Sequence, residues 1–332
     1  MKKLRFMYCI QGISTDPYFN LATEEYILKK FQEDCFMLWQ NENSIVVGKH
    51  QNTLSEINLD YVKEKGIKVA RRISGGGTVF HDLGNLNFSF IVSGEEGNLV
   101  DFRRFTKPIL EVLKNLGIEA KFEGRNDLTI GGKKFSGNAE HVWKKRTLHH
   151  GTILFSSVIS DLSKALKVNP LKYTDKAVKS VRSRVTNVSE HLIENLSIEA
   201  FRDKIMDHIL DNYEGASRYK FTNEDIQSIE ELRDNKFINW EWNFGYSPKY
   251  DFKKEIETNG GSLGIMMTVE KGIITKLKIS GDFVPLKDIE ELEKSFIQKK
   301  HEKDVIRVHL MEIKSELYIK NSKLEEFLLA MF

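Results

Sequence analysis

Apolar and polar positions divide the chain into segments of two periods. Asp16–Pro17 reads as a helix start with proline at the first helical position. Phe19, Ala22 and Tyr26 follow at helical spacing, so a helix is predicted as far as Phe31. CFMLWQ and SIVVGK read as strands on either side of the turn residues 41–43. A short helix over 59–65 leads into the strand GIKVARR. After a run of glycines come strands over 78–81 and 86–92, joined by a turn at 82–85. Phe102, Phe105, Ile109, Val112, Leu113 and Leu116 form a helical stripe that Gly117 ends. EAKFEGRNDLTIGGKKFSGNAEHVW and TLHHGTILF carry further strands, and helices are predicted over 162–167, 198–210 and 223–234.

The pattern changes at FINWEWNFGYSPKYDF (237–252), where aromatics, a glycine and Ser-Pro crowd together as at a domain junction. Beyond it, GIMMTVEKGIITKLKISGDF predicts two or three strands in hairpin order, followed by helices over 288–298 and 323–331. Strands and helices do not alternate strictly, so the fold class is α+β rather than a doubly wound sheet. The expected division is a first domain over 1–245 and a smaller α/β domain over 246–332.

Composition narrows the function. The 332 residues are 40% hydrophobic and 30% charged, ordinary for a globular protein. Fifty basic residues against 48 acidic leave +2, so bulk charge favours no nucleic acid or other polyanion. The longest apolar stretches, such as 45–47 and 328–331, are too short to cross a bilayer. The start, MKKLRFMYCIQG, has no long apolar segment and no small-residue cleavage site, and is expected as a first strand rather than a signal peptide. Cys9 and Cys35 sit in strand-like apolar surroundings and are expected as buried reduced thiols. A cytoplasmic location is the expectation that follows.

The chemistry concentrates in RRISGGGTVFHDLGNLNFSF (71–90). No Gly-Lys-Ser/Thr follows the glycines, so this is not a Walker loop, and it lies between two strands rather than between strand and helix, so it is not the dinucleotide fingerprint. Gly75, Gly76 and Gly77 permit positive φ and close approach of a ligand to main-chain N–H groups, which form an anion nest. Strand alternation allows at most one of Arg71 and Arg72 to point into a given pocket, where a guanidinium suits a phosphate. Composition alone leaves open a surface loop beside a solvated basic pair. A second cluster, GRNDLTIGGKKFSGNAEH (124–141), places Asn126–Asp127, suited to a hydrated magnesium beside substrate phosphates, near Lys133 and Lys134. Alternation sends the two lysines opposite ways, and the inward one needs an anion beside it. Asn126–Asp127 as an ordinary turn remains the other reading. His149 and His150 face opposite sides of a strand and cannot chelate one metal; one faces a pocket and the other the core. His81 is open in the same way.

Together these clusters resemble the lipoate–protein ligase family. The likeness is carried by RRISGGGTVFHDLGNLNFSF, GRNDLTIGGKKFSGNAEH, LHHGTILF and KSVRSRVTNV (179–188), in family order and spacing. It covers roughly 10–250, and WEWNFGYSP with the tail resembles the family's accessory domain. The resemblance implies a biotin/lipoate ligase-like catalytic domain and two steps. Lipoate attacks the α-phosphate of ATP to give lipoyl-AMP and pyrophosphate. The lipoyl group then passes to a lysine of a lipoyl-domain protein, the E2 subunits of 2-oxoacid dehydrogenases or the glycine cleavage H protein. It implies that Lys134 bridges the lipoyl carbonyl and the α-phosphate, and that Arg72, Ser74, Gly75, Gly76, Gly77, Thr78, Val79 and Phe80 wall the adenylate. Asn126 and Asp127 would assist Mg2+ and phosphate. Gly76, His81, Gly137, Ala139 and His150 would line the lipoyl pocket. Lys179, Arg182 and Arg184 match the family's loop over the adenylate. ATP, Mg2+ and lipoate would enter as co-substrate, metal and substrate, without a tightly bound prosthetic group, in a monomer that binds neither nucleic acid nor membrane. Thr78 stands where alanine is common, and FSSVIS where an Asp-containing sequence is frequent. Two further readings stay open: a lipoyl or octanoyl transferase that cannot form the adenylate, and a non-catalytic lipoyl-AMP sensor.

Overall fold

The computed structural model describes residues 6–94, 99–166, 173–176 and 184–332. Its first elements are β1 (Met7–Gln11), α1 (Pro17–Lys30), β2 (Asp34–Trp39), β3 (Ser44–Val47), α2 (Thr53–Glu56), α3 (Leu59–Glu64), β4 (Lys68–Arg71), β5 (Val79–His81) and β6 (Asn85–Ser93). There follow α4 (Phe102–Asn115), β7 (Ala120–Glu123), β8 (Asp127–Ile130), β9 (Lys133–Trp143), β10 (Arg146–Leu154), α5 (Ile159–Ala165), β11 (Tyr173–Asp175), α6 (Ile198–Asn212), β12 (Ala216–Tyr219) and α7 (Asn223–Leu232). The last are β13 (Tyr250–Thr258), β14 (Gly261–Glu270), β15 (Ile273–Ser280), α8 (Ile289–Ser295), α9 (Lys303–Glu312) and α10 (Leu324–Met331). The architecture is α+β, in two compact units.

The first unit comprises Met1–Lys49, Asn58–Leu166 and Ser180–Asn239. Its eight-stranded sheet runs β12-β1-β2-β6-β10-β9-β8-β7, and a three-stranded sheet runs β4-β3-β5. Alternation along β6 fixes two unlike faces. Leu86, Phe88, Phe90 and Val92 enter a core shared with Phe105 and Ile109 of α4 and Phe201 and Ile205 of α6. Asn85, Asn87 and Ser89 take the opposite face, where Ser89 donates to Glu24 of α1 at 2.6 Å. The predicted strands at 35–40 and 44–49 fall in different sheets, as do β5 and β6, so the chain crosses between sheets on both sides of the glycine run.

α1 starts at Pro17 as its sequence predicts, but Asp16 makes no side-chain cap. Its carboxylate is taken by Lys68 at 2.9 Å. α4 matches its stripe, and Gly117 just beyond it has φ +79°.

The second unit comprises His50–Ile57, Lys167–Lys179 and Trp240–Phe332. Its sheet, β11-β13-β14-β15, is antiparallel throughout. Phe252, Ile265, Met267 and Ile279 of the sheet share a core with Leu292, Leu310, Phe327 and Leu328 of the helices. β13 and α9 escaped the sequence reading. The buried positions of β13 begin inside the aromatic cluster read as a junction, and α9 buries only Ile306, His309 and Leu310.

His301 anchors this core. Buried and stacked on Phe332, it accepts from the Tyr250 hydroxyl at Nδ1 (2.6 Å) and donates from Nε2 to the Met331 carbonyl (2.8 Å). Burial pushes its pKa from 6.5 down to about 4. The unfolded chain therefore binds more protons between those values, and the contribution present above about pH 6.5 is lost as pH falls toward about 4. At most about 3 kcal/mol is involved. His301→Gln keeps a donor and an acceptor without titrating. Urea unfolding at pH 7 and pH 5 is expected to show a smaller acid loss in the variant than in the natural protein.

Candidate active site

The glycine loop is organised by the arginine before it. Arg72 is buried, 6% exposed. Its Nε donates to Ser74 Oγ (3.0 Å) and the Gly75 carbonyl (3.2 Å), Nη1 to the Val46 carbonyl (3.1 Å), and Nη2 to the carbonyls of Gly75 and Gly77 (both 2.7 Å). One guanidinium thus holds the loop in a tight curl. Gly76 has φ +93°, and a Cβ there would lie 3.0 Å from Arg72 Nη2, so conformation and space both require glycine. Gly75 faces open space. Arg71 is fully buried and donates to the carbonyls of Gly48 and Lys49. The pair is no solvated patch. Burial lowers the Arg72 pKa to about 10, with Glu24 opposing, so the group stays cationic at neutral pH. Beyond the loop Thr78 and Phe80 are buried and Val79 is half-buried.

A buried relay continues from Ser74. Its Oγ meets His150 Nε2 at 2.6 Å, and His150 Nδ1 meets the Glu24 carboxylate at 2.9 and 3.0 Å. Glu24 also accepts from Ser89, whose hydroxyl accepts from Trp39 Nε1 at 2.8 Å. With Nδ1–H donated to the carboxylate, Nε2 is the acceptor for Ser74 Oγ–H, and each group is satisfied in one direction. Sequence reading found Ser74 and His150 and missed Glu24, Ser89 and Trp39. His149 points the other way. It is fully buried against Glu140 (2.8 Å) among Phe88, Phe102 and Phe105.

The two lysines separate as alternation requires: Lys133 is exposed and Lys134 half-buried. Lys134 Nζ pairs with Asp127 Oδ1 at 2.7 Å. A Cβ on Gly137 would lie 2.9 Å from Lys134 Cε and Nζ, so the missing side chain makes room for this amine. Lys134 N donates to the Arg184 carbonyl (2.8 Å) and its own carbonyl accepts from Thr186 N (3.0 Å). The chain after the basic segment is thereby strapped to the lysine's strand. Lys179 and Arg182 lie outside the described residues. Asn126 donates from Nδ2 to the Asn138 carbonyl at 2.6 Å, which fastens β8 to β9. Ala139 and His150 are cross-strand partners. Gly137→Ala is expected to push the amine aside and lower the rate of a step that uses it about tenfold. The far end of a flexible side chain takes up the clash, so the urea midpoint is expected to stay unchanged.

Mixed sheets of this order, with Lys134 at the head of β9 and the glycine loop tied to β10 through Ser74 and His150, define a biotin/lipoate ligase-like catalytic fold with a second α/β unit. Residues 16–210 match the family model for the lipoyl protein ligase A/B catalytic domain, and 247–331 match that for the bacterial lipoate protein ligase C-terminus. The chain belongs to the lipoate–protein ligase family. It is 41% identical over 317 residues to lipoate-protein ligase LplJ of Bacillus subtilis, covering 94% of this chain and 96% of that one. It is 43% identical over 300 residues to lipoate–protein ligase 1 of Staphylococcus aureus, covering 90% and 91%. Among solved structures, P. falciparum LipL1 in complex with lipoate superposes with TM-score 0.62 at 29% identity, covering 97% of both chains. Lipoate-protein ligase A bound with ATP gives 0.61 at 27%, covering 74% of this chain and all of that one. A bi-partite archaeal ligase from Thermoplasma acidophilum, described with its E2 lipoyl domain, gives 0.62 at 27%, covering 73% and 97%.

Proposed function

We propose that this chain is an ATP-dependent lipoate–protein ligase. It activates the lipoate carboxylate as lipoyl-AMP with release of pyrophosphate, then acylates a lysine ε-amine on a lipoyl-domain protein. The observation that supports this most is the Lys134 amine, held by Asp127 in the space that Gly137 leaves. During attack, negative charge grows on the α-phosphate and on the lipoyl carbonyl, and a fixed ammonium between them stabilises both. The loop curled by Arg72 offers main-chain N–H groups to the adenylate, and Gly76, His81, Ala139 and His150 receive the acyl chain. Among the described residues no cluster of three or more carboxylate, His or Cys groups stands ready to hold a metal alone. One carboxylate, Asp127, with the Asn126 amide oxygen, suits Mg2+ that arrives on the nucleotide and takes its other ligands from phosphates and water. Such an ion neutralises phosphate charge. We assign lipoate and ATP to residues 1–245 and an accessory role to 246–332. Acceptors are the E2 subunits and the H protein, and the enzyme acts as a cytoplasmic monomer.

A thioester route finds no support in the thiols. Cys9 and Cys35 are buried, and burial raises the first to about 11 and the second further. Lipoate-dependent ATP–pyrophosphate exchange tests the proposal. Exchange that needs lipoate supports it. Transfer from synthetic lipoyl-AMP without exchange would leave a transferase, and neither activity would leave a sensor.

A further inference from the structure

The face of the large sheet that carries Lys134's neighbourhood has an unusual polarity further in. By register, Gly137 stands beside Thr152, which accepts from Gly137 N at 3.2 Å. Thr152 is the partner of Asn87, and Asn87 of Trp39. Directly paired residues share a face, so Gly137, Thr152, Asn87 and Trp39 form one row across β9, β10, β6 and β2. Asn87 is two strand spacings from Gly137, about 10 Å. An eight-carbon acyl group whose carboxyl end meets Lys134 spans that interval. The His81 ring stands 6.1 Å from the Trp39 ring, edge to face.

At this depth three polar atoms lack partners among the described residues: His81 Nε2, Asn87 Nδ2 and Asn85 Oδ1, in side chains 3%, 2% and 0% exposed. The neighbours fix what His81 offers. Asn20 Nδ2 donates to the carbonyls of Ser14 and Gln40 and to Asn41 Oδ1. Asn41 therefore turns its Nδ2 toward His81 Nδ1, at 2.9 Å. Nδ1 is an acceptor, so the proton resides on Nε2. Burial first, then Arg72 and His150, hold this imidazole far below its usual pKa, and it stays neutral. Asn87 Oδ1 accepts from Asn85 Nδ2 at 2.9 Å, so this amide pair leaves the Asn87 NH2 and the Asn85 carbonyl oxygen both undirected within the protein. Buried donors without acceptors are costly, and native interiors pair nearly all of them.

Resting on the lipoate reading above, we propose that His81 and Asn87 are specificity-determining residues that donate N–H to the sulfurs of the dithiolane ring. Sulfur is a weak acceptor, yet a saturated chain offers none. A pocket built to hydrogen-bond its substrate rejects the analogue lacking the acceptor, because its donors are then sealed away unpaired. Octanoate, which matches lipoate in carbon number but not in sulfur, pays this penalty at the same two atoms. The enzyme therefore prefers the ring for its sulfurs and not only for its shape.

The test changes the ligand before the protein. ATP–pyrophosphate exchange is measured with lipoate, with 5-cyclopentylpentanoate, which keeps ring and chain but replaces both sulfurs by methylenes, and with octanoate. The expected kcat/KM for lipoate is about tenfold above that for the carbocycle, and Asn87→Leu or His81→Phe is expected to bring the two toward equality. Equal values for lipoate and the carbocycle in the natural protein would overturn the inference and leave the ligase reading standing. A preference that survives in both variants would also overturn it. Exchange with none of the acids would remove the ligase reading and this inference together. If a variant does not fold, the ligand comparison in the natural protein decides alone.

Discussion

Lys134→Ala is expected to lower the rate of lipoyl-AMP formation by about 10²–10³-fold, a barrier increase of about 3–4 kcal/mol by analogy with lost oxyanion donors, while the protein stays folded. The expectation of intact folding comes from what the side chain does. Lys134 is 30% and Asp127 33% exposed in the side chain, so water takes over the freed carboxylate and little stability rides on the pair. The strap to Arg184 and Thr186 runs through the backbone of residue 134, which alanine keeps. Lys133→Ala is expected to be mild, because that side chain stands in solvent. Exchange measured with both variants beside urea unfolding curves checks the assignment. Equal loss of exchange in the two would mean that the wrong lysine has been chosen or that the segment fails as a whole. Gly137→Ala probes the same amine more gently, since it shifts the charge without removing it.

Much of this site was legible along the chain because its parts are local. The glycine run follows from the backbone freedom of glycine, and alternation says that the adjacent arginines and the adjacent lysines diverge; that Arg72 and Lys134 are the ones that matter came from the family resemblance. Alternation also separated His149 from His150 and Lys133 from Lys134. For the arginines it says only that they diverge, and does not tell core or pocket from solvent. Here both sides are covered, and both guanidiniums are buried on main-chain carbonyls. The relay from Trp39 through Ser89, Glu24 and His150 to Ser74 was invisible for another reason. Its links join residues 50, 65, 126 and 76 positions apart, which no spacing rule connects. Asn85, Asn87 and Ser89 alternate with core residues as a solvent-facing strand side would. The packing of α1 against this face helps make them interior. The short strands β11 and β12 carry too few residues to show a period, and pair only because longer strands are there to receive them.

The second large effect is expected at Arg72. Arg72→Met removes the donor to the buried Val46 carbonyl and Ser74 Oγ and to the part-buried carbonyls of Gly75 and Gly77. Breaking a buried, charge-assisted set of this kind costs about 3–5 kcal/mol, which a urea midpoint reads directly. Arg72→Lys is expected to recover part of that and none of the loop geometry, since an ammonium on a flexible stem cannot reach carbonyls on opposite sides of the curl as a planar fork does. The functional consequence follows from the same geometry. With the curl relaxed, Gly75–Gly77 lose the conformation proposed to receive the adenylate, and ATP with lipoate is expected to raise the melting temperature of Arg72→Lys far less than that of the natural protein. Gly76→Ala gives the converse test. It leaves the guanidinium in place but forces a side chain into φ +93° and to 3.0 Å from Nη2, so nucleotide-dependent stabilisation is expected to fall by a similar amount. A lysine variant that binds both ligands as the natural protein does would show that the loop holds its shape without the clamp, and the account of the glycine run would have to start elsewhere.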